Sequence, residues 1–392
     1  MTEPWLAIIG LGEDGPAGLS EASRAALARA EVVFGAPRHL ALVGAGARGQ
    51  AWPVPFDLGP LLARRGERVA MLVSGDPFWF GAGGSVAAQL SPAEWVAHPV
   101  AGSFSLLAAR LGWRLEEVAC LGLHAAPFER LRPVLAPGVR VLCTLRDGPA
   151  VGALSAWLGA NGFGAARLTV AEALGGPRER LREGAGWPDI AAPVAVAIDG
   201  STLPPGAGLP RAAGLPDDLF QHDGQITKAP VRAVTLSALA PRPGALLWDL
   251  GAGSGSVSVE WCLAGGRAIA VEARADRAGT IRANAQHFGL SHRIEVRAAR
   301  ALPALPALPR PDAVFVGGGG EAALYDALWS CLPPGTPVVA NGVTLEAEGL
   351  LSDLHARHGG TLLRIEIATA GRLGRFRDWQ AARPVVQWRG QR

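Results

Sequence analysis

The amino-acid sequence predicts an α/β protein in which two domains follow each other along the chain. Short apolar segments typical of buried strands alternate with helical segments, and glycine or proline marks the turns between them. This pattern occurs twice, on either side of a stretch at 201–215 that contains three prolines and three glycines. We therefore predict a first domain at 1–202, a linker at 203–222 and a second domain at 223–392.

The first series opens with an apolar strand at 5–9, a glycine-containing turn and a helix whose N-cap is Ser20. A continuous apolar run predicts the next buried strand at 68–73, which ends in Ser74-Gly75-Asp76-Pro77. Further strands of this series are predicted at 94–99, 139–145, 167–170 and 194–198.

The second series has predicted strands at 246–250, 268–272, 294–297, 313–316, 337–340 and 361–367. The segments between them are long enough for the crossover helices that a parallel sheet requires. An Ala-Leu-Pro repeat at 301–309 has proline at every third residue, so we predict an ordered loop there.

A glycine-rich turn is the most informative feature of the second series. The run Trp-Asp-Leu-Gly-Ala-Gly-Ser-Gly at 248–255 follows a predicted buried strand and opens a predicted helix at 256–263. Glycine lets the backbone turn sharply and lets a ligand approach closely, while Glu272 ends the next strand, at the spacing where an acidic side chain meets ribose hydroxyls. The predicted ligand contacts are Asp249, Gly251, Ala252, Gly253, Ser254, Gly255 and Glu272.

Three interpretations of this turn compete: a dinucleotide site, an S-adenosylmethionine site and a turn without a ligand. The Gly-x-Gly-x-x-Gly motif of dinucleotide sites usually ends in a third glycine, and in this sequence Ser256 occupies that position. The carboxylate of Asp249 would repel a pyrophosphate, whereas it suits the cationic sulfonium and ammonium groups of S-adenosylmethionine. The sequence therefore favours the methyl donor.

Composition excludes several other classes of protein. A net charge of +3 with 18% charged residues argues against bulk binding of nucleic acid. The four cysteines stand far apart, so neither a metal site nor a disulfide framework is predicted. Because no apolar run approaches about 18 residues and the N-terminus has no basic region, we predict no membrane partner and a cytoplasmic location.

Two polar groups near the C-terminus are further candidates. Asn341 follows the predicted strand at 337–340 and would orient the substrate or the donor in catalysis, or else cap a turn. Arg372, Arg375 and Arg377 would bind substrate carboxylates through paired N–H donors, or else form the solvated face of a hairpin.

Residues 225–390 resemble the decarboxylating precorrin methyltransferase family. The resemblance rests on Gln225-Ile-Thr-Lys-Ala-Pro-Val-Arg232 together with the glycine-rich turn and Glu260. It implies a Rossmann-like class I methyltransferase fold in which Thr227 and Lys228, the only lysine of the chain, contact the donor. It also implies a homo-oligomer, with a tetramer through this domain as the state found among relatives.

The first 200 residues resemble the tetrapyrrole methylases, a two-subdomain fold that also binds S-adenosylmethionine. The resemblance rests on Ile8-Ile-Gly-Leu-Gly12, a helix ending in Ala30-Glu-Val-Val-Phe-Gly35, Ser74-Gly-Asp-Pro-Phe-Trp-Phe-Gly81 and Val100-Ala-Gly-Ser-Phe-Ser-Leu106. It implies that Gly10 and Gly12 line the substrate trough. The donor contacts that it implies are Ser74, Asp76, Trp79, Phe104, Ser105, Leu145 and Leu174.

Both resemblances in one chain imply a bifunctional enzyme of cobalamin biosynthesis with two S-adenosylmethionine sites. Its reaction would methylate the tetrapyrrole precorrin-6B at C5 and C15 and remove carbon dioxide from the ring C acetate, giving precorrin-8. The meso carbons of a reduced tetrapyrrole are enamine-like nucleophiles, so the protein mainly has to align carbon and methyl group and exclude water. A nicotinamide-dependent tetrapyrrole reductase and a chain with only one active half are the alternatives.

Overall fold

The computed structural model describes residues 3–184 and 186–392. Within this range the chain forms two compact units. The first comprises the residues up to 128 together with 134–208, and the second comprises 129–133 together with 209–392.

The first unit contains two five-stranded sheets. The first sheet has the order β3-β2-β4-β1-β5 with every pair parallel. Its strands are β1 (Leu6–Leu11), β2 (Val32–Gly35), β3 (Gly49–Ala51), β4 (Val69–Ser74) and β5 (Trp95–His98). The helices of this part are α1 (Glu21–Arg29), α2 (Pro37–Leu42), α3 (Gly59–Leu62) and α4 (Gly83–Ala87). The central strands β1 and β4 are buried on both faces, as a parallel sheet covered by helices requires.

The second sheet is mixed and has the order β6-β7-β10-β8-β9. Only β6 and β7 pair in parallel, and the other three pairs are antiparallel. Its strands are β6 (Val118–Gly122), β7 (Arg140–Leu145), β8 (Arg167–Glu172), β9 (Arg180–Glu183) and β10 (Val194–Asp199). Helices α5 (Ser103–Leu111) and α6 (Pro149–Ala160) complete this half.

Ser20 caps α1 as predicted, because its hydroxyl accepts a hydrogen bond from the backbone N–H of Ser23 at 3.1 Å. The predicted helix that ends in 30–35 is wrong in its final part. Helix α1 stops at Arg29, and residues 32–35 form β2 beside β4. Two β-branched valines followed by a phenylalanine favour a strand, and both Val33 and Phe34 are fully buried there.

The second unit is built on a seven-stranded sheet of order β13-β12-β11-β14-β15-β19-β16. The five strands from β13 to β15 are parallel. Its strands are β11 (Leu246–Leu250), β12 (Arg267–Glu272), β13 (Ile294–Ala298), β14 (Ala313–Val316), β15 (Pro337–Gly342), β16 (Thr361–Ile365) and, last in the chain, β19 (Val385–Gln391). Its helices are α7 (Ala229–Leu239), α8 (Ser256–Leu263), α9 (Ala275–His287), α10 (Ala301–Ala304), α11 (Ala322–Cys331) and α12 (Leu345–His358).

This strand order reverses direction between β11 and β14, which makes the carboxyl ends of these two strands a topological switch point. Ligands of open α/β sheets bind in the crevice at such a point. The glycine-rich turn follows β11, and a second glycine run at 317–320 follows β14. The fold therefore brings both glycine segments to the position where a ligand is expected.

Two predictions for the second unit need correction. The predicted parallel strand at 361–367 ends at Ile365, and it pairs with β19, which runs antiparallel between β15 and β16. The predicted loop at 301–309 begins with the short helix α10 and a 3-10 turn at Leu305–Ala307. Pro303 is tolerated because it lies in the first turn of α10, where a backbone N–H has no intrahelical partner.

A two-stranded hairpin stands apart from the large sheet. Strands β17 (Ala368–Leu373) and β18 (Phe376–Ala381) pair only with each other among the described residues, and β18 is exposed along its whole length. Within the same part of the chain, no helix is both long enough and apolar enough to cross a membrane. No cluster of three or more His, Cys, Asp or Glu side chains suited to a metal ion occurs there either.

Candidate functional site

The glycine-rich turn of the second unit runs from the end of β11 to the start of α8, as predicted. Its three glycines all have positive φ angles, of 69°, 59° and 73° for Gly251, Gly253 and Gly255. A side chain at Gly251 would collide with the carbonyl oxygen of Gly318, and one at Gly255 would come within 2.7 Å of Ile281. A Cβ atom added at Gly253 would have no described heavy atom within 4 Å, so this glycine faces open space that a ligand can fill.

Asp249 lies beneath this turn with no exposed surface. Its Oδ2 accepts hydrogen bonds from the hydroxyl and the backbone N–H of Ser258, at 2.6 and 3.2 Å. Its Oδ1 is buried without a hydrogen-bond partner among the described residues. Burial and the nearby charge of Glu272 raise the pKa of Asp249 to about 6. A buried carboxylate with one unsatisfied oxygen fits a cationic ligand group, as the methyl donor would supply.

Glu272 ends β12 and holds the turn in place. Its Oε2 accepts a hydrogen bond from the backbone N–H of Gly253 at 2.9 Å, and its Oε1 accepts one from the backbone N–H of Arg274 at 3.0 Å. Each carboxylate oxygen keeps a second lone pair, so these contacts leave acceptor capacity for ribose hydroxyls. The position of Glu272 beside Gly253 is therefore compatible with the predicted nucleoside contact.

The segment that carries Thr227 and Lys228 is held in place by a buried arginine. Arg232 is fully buried and donates to the carbonyl oxygens of Thr227 and Leu215. Its Nε lies 2.5 Å from Oε1 of Glu260, a carboxylate on α8 that also accepts from the backbone of Gly214 and Leu215. The arginine thus connects the segment before α7 to the helix that follows the glycine-rich turn. The side chain of Lys228 is more than half exposed, with Nζ 3.5 Å from Asp217.

A buried amide makes a second connection to the turn. Asn284 on α9 donates one hydrogen bond to the carbonyl of Ser254 and another to that of Gln221, each at 2.9 Å. Its Oδ1 accepts from the backbone N–H of Gln221 at 2.8 Å. The residues ahead of Thr227 are therefore tied directly to the predicted ligand loop. Sequence analysis missed Asn284, because an asparagine inside a helix carries no local signal of its partners.

Asn341, the predicted catalytic residue, lies near the end of β15 and belongs to a buried amide network. Its Nδ2 donates to the hydroxyl of Thr235 at 2.9 Å, and its Oδ1 accepts from Nε2 of Gln387 at 2.9 Å. Gln387 also donates to Thr235 at 3.0 Å. The network fixes the orientation of the Asn341 amide, which leaves one N–H and one lone pair for other contacts.

The predicted substrate arginines lie on the exposed hairpin. Arg372 stands directly opposite Arg377 in the β17–β18 register, and the guanidinium of Arg375 lies 4.9 Å from the centre of the Phe376 ring. Like charges directly opposite each other repel, so an anion between them would relieve the repulsion. The hairpin also exposes the apolar side chains of Leu373, Phe376 and Trp379.

The first unit contains a cavity of about 690 Å³ that both of its sheets line. The first sheet contributes the loops after β1 and β4, and the second contributes the ends of β7 and β8 and the beginning of β10. The predicted residues that line this cavity are Gly12, Ser74, Asp76, Trp79, Phe104, Ser105, Leu145 and Leu174. Gly10 lies beneath the loop that begins at Ser74, because a side chain there would collide with the carbonyl oxygen of Gly75.

Aromatic side chains form one wall of the cavity. The rings of Trp79 and Phe80 lie 5.8 and 5.7 Å, centre to centre, from that of Phe104, and both are about half exposed. The loop that carries them is closed by Asp76, whose Oδ1 accepts from the backbone N–H of Phe78 at 2.8 Å. Half-exposed rings beside a cavity of this size provide a surface on which a flat conjugated ligand can pack.

Both units match known families. Residues 6–185 match the family described as Tetrapyrrole (Corrin/Porphyrin) Methylases, and residues 218–392 match the family described as Precorrin methyltransferase domain. A precorrin-6Y C(5,15)-methyltransferase (decarboxylating) of Sinorhizobium is 45% identical over an alignment of 404 positions, which covers 99% of this chain and 96% of that protein. This chain belongs to the precorrin-6Y C(5,15)-methyltransferase family. Membership implies S-adenosylmethionine as the methyl donor and a precorrin as the substrate.

A second relative and a solved structure are also similar to this chain. A protein of the same family from Mycobacterium tuberculosis (strain CDC 1551 / Oshkosh) is 36% identical over an alignment of 392 positions, which covers 97% of this chain and 98% of that protein. The crystal structure of the C-terminal domain of precorrin-6Y C5,15-methyltransferase from Rhodobacter capsulatus is 62% identical, with a TM-score of 0.46. It covers 47% of this chain and 100% of that domain. The family assignment rests on the two relatives that match from end to end.

Proposed function

We propose that this chain methylates precorrin-6B at C5 and C15, decarboxylates the ring C acetate and thereby produces precorrin-8 in cobalamin biosynthesis. The observation that carries the proposal is the end-to-end match to a precorrin-6Y C(5,15)-methyltransferase (decarboxylating), which spans both units. Each unit also has a site of its own that suits a donor or its acceptor: the cavity in the first unit and the glycine-rich turn in the second.

We propose one donor site in each unit, and hence two per chain. In the second unit the contacts would come from the turn at 249–255, from Glu272 and from the segment with Thr227 and Lys228. In the first unit they would come from the cavity residues Ser74, Asp76, Trp79, Phe104, Ser105, Leu145 and Leu174. The bound sulfonium supplies an electrophilic methyl group. The work of the protein is then to hold the acceptor carbon in line with that group and to exclude water.

The first unit would methylate C5, and the second would methylate C15 and decarboxylate. A relative from Pyrobaculum calidifontis covers 44% of this chain, and its name is a probable cobalt-precorrin-6B C(15)-methyltransferase (decarboxylating). The name of this relative, which is about half as long as this chain, includes C15 methylation and decarboxylation but not C5 methylation. This supports a division of the two activities between the two units.

In the second unit, Asn341 would orient a reacting group through the free N–H of its fixed amide. Decarboxylation breaks the bond between the carboxyl carbon and the acetate methylene and releases carbon dioxide. The conjugated macrocycle accepts the electron pair, and a proton taken up from solvent then converts the methylene into a methyl group. Arg372, Arg375 and Arg377 would hold peripheral carboxylates of the substrate. Replacing all three with glutamine should raise KM for the tetrapyrrole without changing donor affinity, and an unchanged KM would remove them from the substrate site.

Calorimetric titration of the full chain with S-adenosylhomocysteine tests the number of donor sites. We expect two sites per chain, and one remaining site in each of the variants Asp76→Ala and Asp249→Ala. A single site in the unmodified chain would leave one unit without donor. Binding of a nicotinamide cofactor at the second site would instead favour a tetrapyrrole reductase.

We further propose that the protein forms a homo-oligomer, with a tetramer through the second unit as the expected state. The apolar side chains exposed on the hairpin are compatible with burial between copies. Light scattering coupled to size-exclusion chromatography would measure the mass in solution, and a mass of about 40.5 kDa, that of one chain, would contradict the proposal. The cytoplasmic location remains a prediction.

A further inference from the structure

The wall of the first-unit cavity also contains a cluster of charged and polar side chains, most of which are not among the donor contacts proposed above. It consists of Glu13 after β1, Arg38 and His39 on α2, and Ser74 at the end of β4, and all four line the cavity. We call these four residues the Arg38 cluster. Ser74 is exposed to the cavity, whereas Glu13 and His39 are buried behind it.

The hydrogen bonds of the cluster fix the direction of the Arg38 guanidinium. One of its terminal nitrogens lies 3.0 Å from Nε2 of His39 and 3.0 Å from the hydroxyl of Ser74. Because an arginine N–H can only donate, Nε2 of His39 is the acceptor in this contact. Burial and the adjacent guanidinium lower the pKa of His39 to about 4, so the ring is neutral near pH 7.

The cluster carries an excess of positive charge. Arg38 forms an ion pair with Glu13, and Arg178 also lies 3.5 Å from the same carboxylate. Two guanidinium groups therefore share one carboxylate, and the neutral imidazole adds no negative charge. Since the Arg38 side chain is 36% exposed, it can present its remaining N–H donors to a ligand in the cavity.

The second half of the unit gives its part of the cavity wall a different character. Most of the side chains that it contributes are apolar, namely Leu145, Ala171, Leu174, Val194 and Ala195, beside the polar His124 and Thr144. A ligand that suits the whole wall has an apolar body and an anionic group at its edge. Arg38 keeps its Nε–H and one N–H of Nη1 beyond its contacts with Glu13, His39 and Ser74, and these donors suit a carboxylate oxygen.

We propose that the Arg38 cluster is a carboxylate-binding subsite of the first-unit cavity. The proposal rests on the proposed function, in which both ligands contain this group. The name of the Sinorhizobium relative includes decarboxylation, which indicates that the tetrapyrrole has carboxylate side chains. The donor has the carboxylate of its methionine part. The charge excess and the remaining N–H donors of Arg38 suit a carboxylate from either source, and the experiment separates the two.

The test uses the full chain with the double substitution Arg38→Met and Glu13→Gln. This pair removes one positive and one negative charge, so it leaves no buried carboxylate without its main partner. The affinity for precorrin-6B is measured by fluorescence quenching without oxygen, and the affinity for S-adenosylhomocysteine by calorimetry. We expect one of the two dissociation constants at the first-unit site to rise by about tenfold or more, as loss of a charge-assisted hydrogen bond predicts.

The matched control is Arg68→Met with Glu31→Gln, an exposed ion pair of the same unit that does not line the cavity. Both dissociation constants should stay unchanged in this control. A rise only for precorrin-6B would identify a substrate carboxylate, and a rise only for S-adenosylhomocysteine would identify the donor carboxylate. Unchanged values for both ligands in the folded Arg38 variant would overturn the proposal.

A more conservative substitution covers the case in which the double variant does not fold. Arg38→Lys keeps the positive charge beside Glu13 but loses the additional N–H donors of the guanidinium, so the same dissociation constant should rise by a smaller factor. Equal affinities in this variant and the unmodified chain would also overturn the subsite. If the unmodified chain itself neither bound precorrin-6B nor transferred a methyl group to it, the proposed function would fail instead.

Discussion

The two candidate sites use different parts of the chain to create space for a ligand. In the first unit, side chains from two sheets surround a cavity of about 690 Å³. In the second unit, the backbone of one glycine-rich turn lies at the switch point of a single sheet, above a buried carboxylate. A site made by side chains should tolerate changes of similar volume, whereas a site made by backbone should not tolerate a single added methyl group.

The largest effect is expected at the buried ion pair that holds the second site together. Arg232→Met leaves Glu260 buried without its charged partner, which typically costs about 3–5 kcal/mol. Urea unfolding followed by tryptophan fluorescence should show this loss in the transition of the second unit. The control is Arg357→Met, which breaks an exposed pair with Asp326 and should cost less than about 1 kcal/mol. Equal losses in both variants would contradict the account.

A methyl group on the turn should have the next largest effect. Gly251→Ala strains a residue with φ of 69° and forces a collision with Gly318, so donor binding at the second site should be lost while the first site still binds. Calorimetry with S-adenosylhomocysteine would count the remaining sites. Gly349→Ala is the control, because this glycine lies inside α12 with no described atom near its added methyl group. That substitution should stabilise the protein by about 0.5–1 kcal/mol.

The buried Asp249 should make the second site sensitive to pH. Folding raises the pKa of Asp249 to about 6. The contribution of this group to the free energy of unfolding is therefore fully present below its unfolded pKa and is lost as pH rises through about 6. A cationic donor favours the ionised form, so donor affinity should fall as pH decreases below about 6, by up to about tenfold per pH unit.

Calorimetric titration with S-adenosylmethionine at pH 5.5, in two buffers of different ionisation enthalpy, would detect the proton that Asp249 releases when the donor binds. In Asp249→Asn, which has no such proton, the heat of binding at the second site should not depend on the buffer. Proton release that persists in this variant would show that another group titrates.

The smallest effect is expected for a volume-conserving change in the first cavity. Leu145→Met keeps the side chain apolar and of similar size, so it should cost less than about 1.5 kcal/mol in stability and leave donor affinity within about tenfold. A thermal unfolding curve and a calorimetric titration would measure both. A loss of binding comparable to that of Gly251→Ala would remove the distinction between the two sites.

The sequence predicted those features that depend on neighbouring residues. The strand, glycine-rich turn and helix at 246–263 follow one another directly, and the structure has them at the predicted bounds. By contrast, Asn284 reaches Gln221 across 63 positions, and Gln387 reaches Thr235 across 152. No local pattern reports such pairs, because each depends on how the strands and helices are arranged.

The same limit explains why neither the strand order nor the strand at 385–391 was predicted. Strand β19 lies between β15 and β16, although it comes after both in the chain. Its apolar residues predict burial but not the neighbour to which it pairs. The contacts of Arg38 and His39 with Ser74, 36 and 35 positions away, likewise depend on the fold.

Mass spectrometry of the product formed from precorrin-6B and isotopically labelled S-adenosylmethionine tests the central claim most directly. We predict a product that contains two labelled methyl groups and has lost one carboxyl group as carbon dioxide. Asp76→Ala should yield a product without the C5 methyl group, and Asp249→Ala one that lacks the C15 methyl group and keeps its carboxyl group. A product of the unmodified chain with one methyl group, or with its carboxyl group intact, would contradict the assignment of two active sites to this chain.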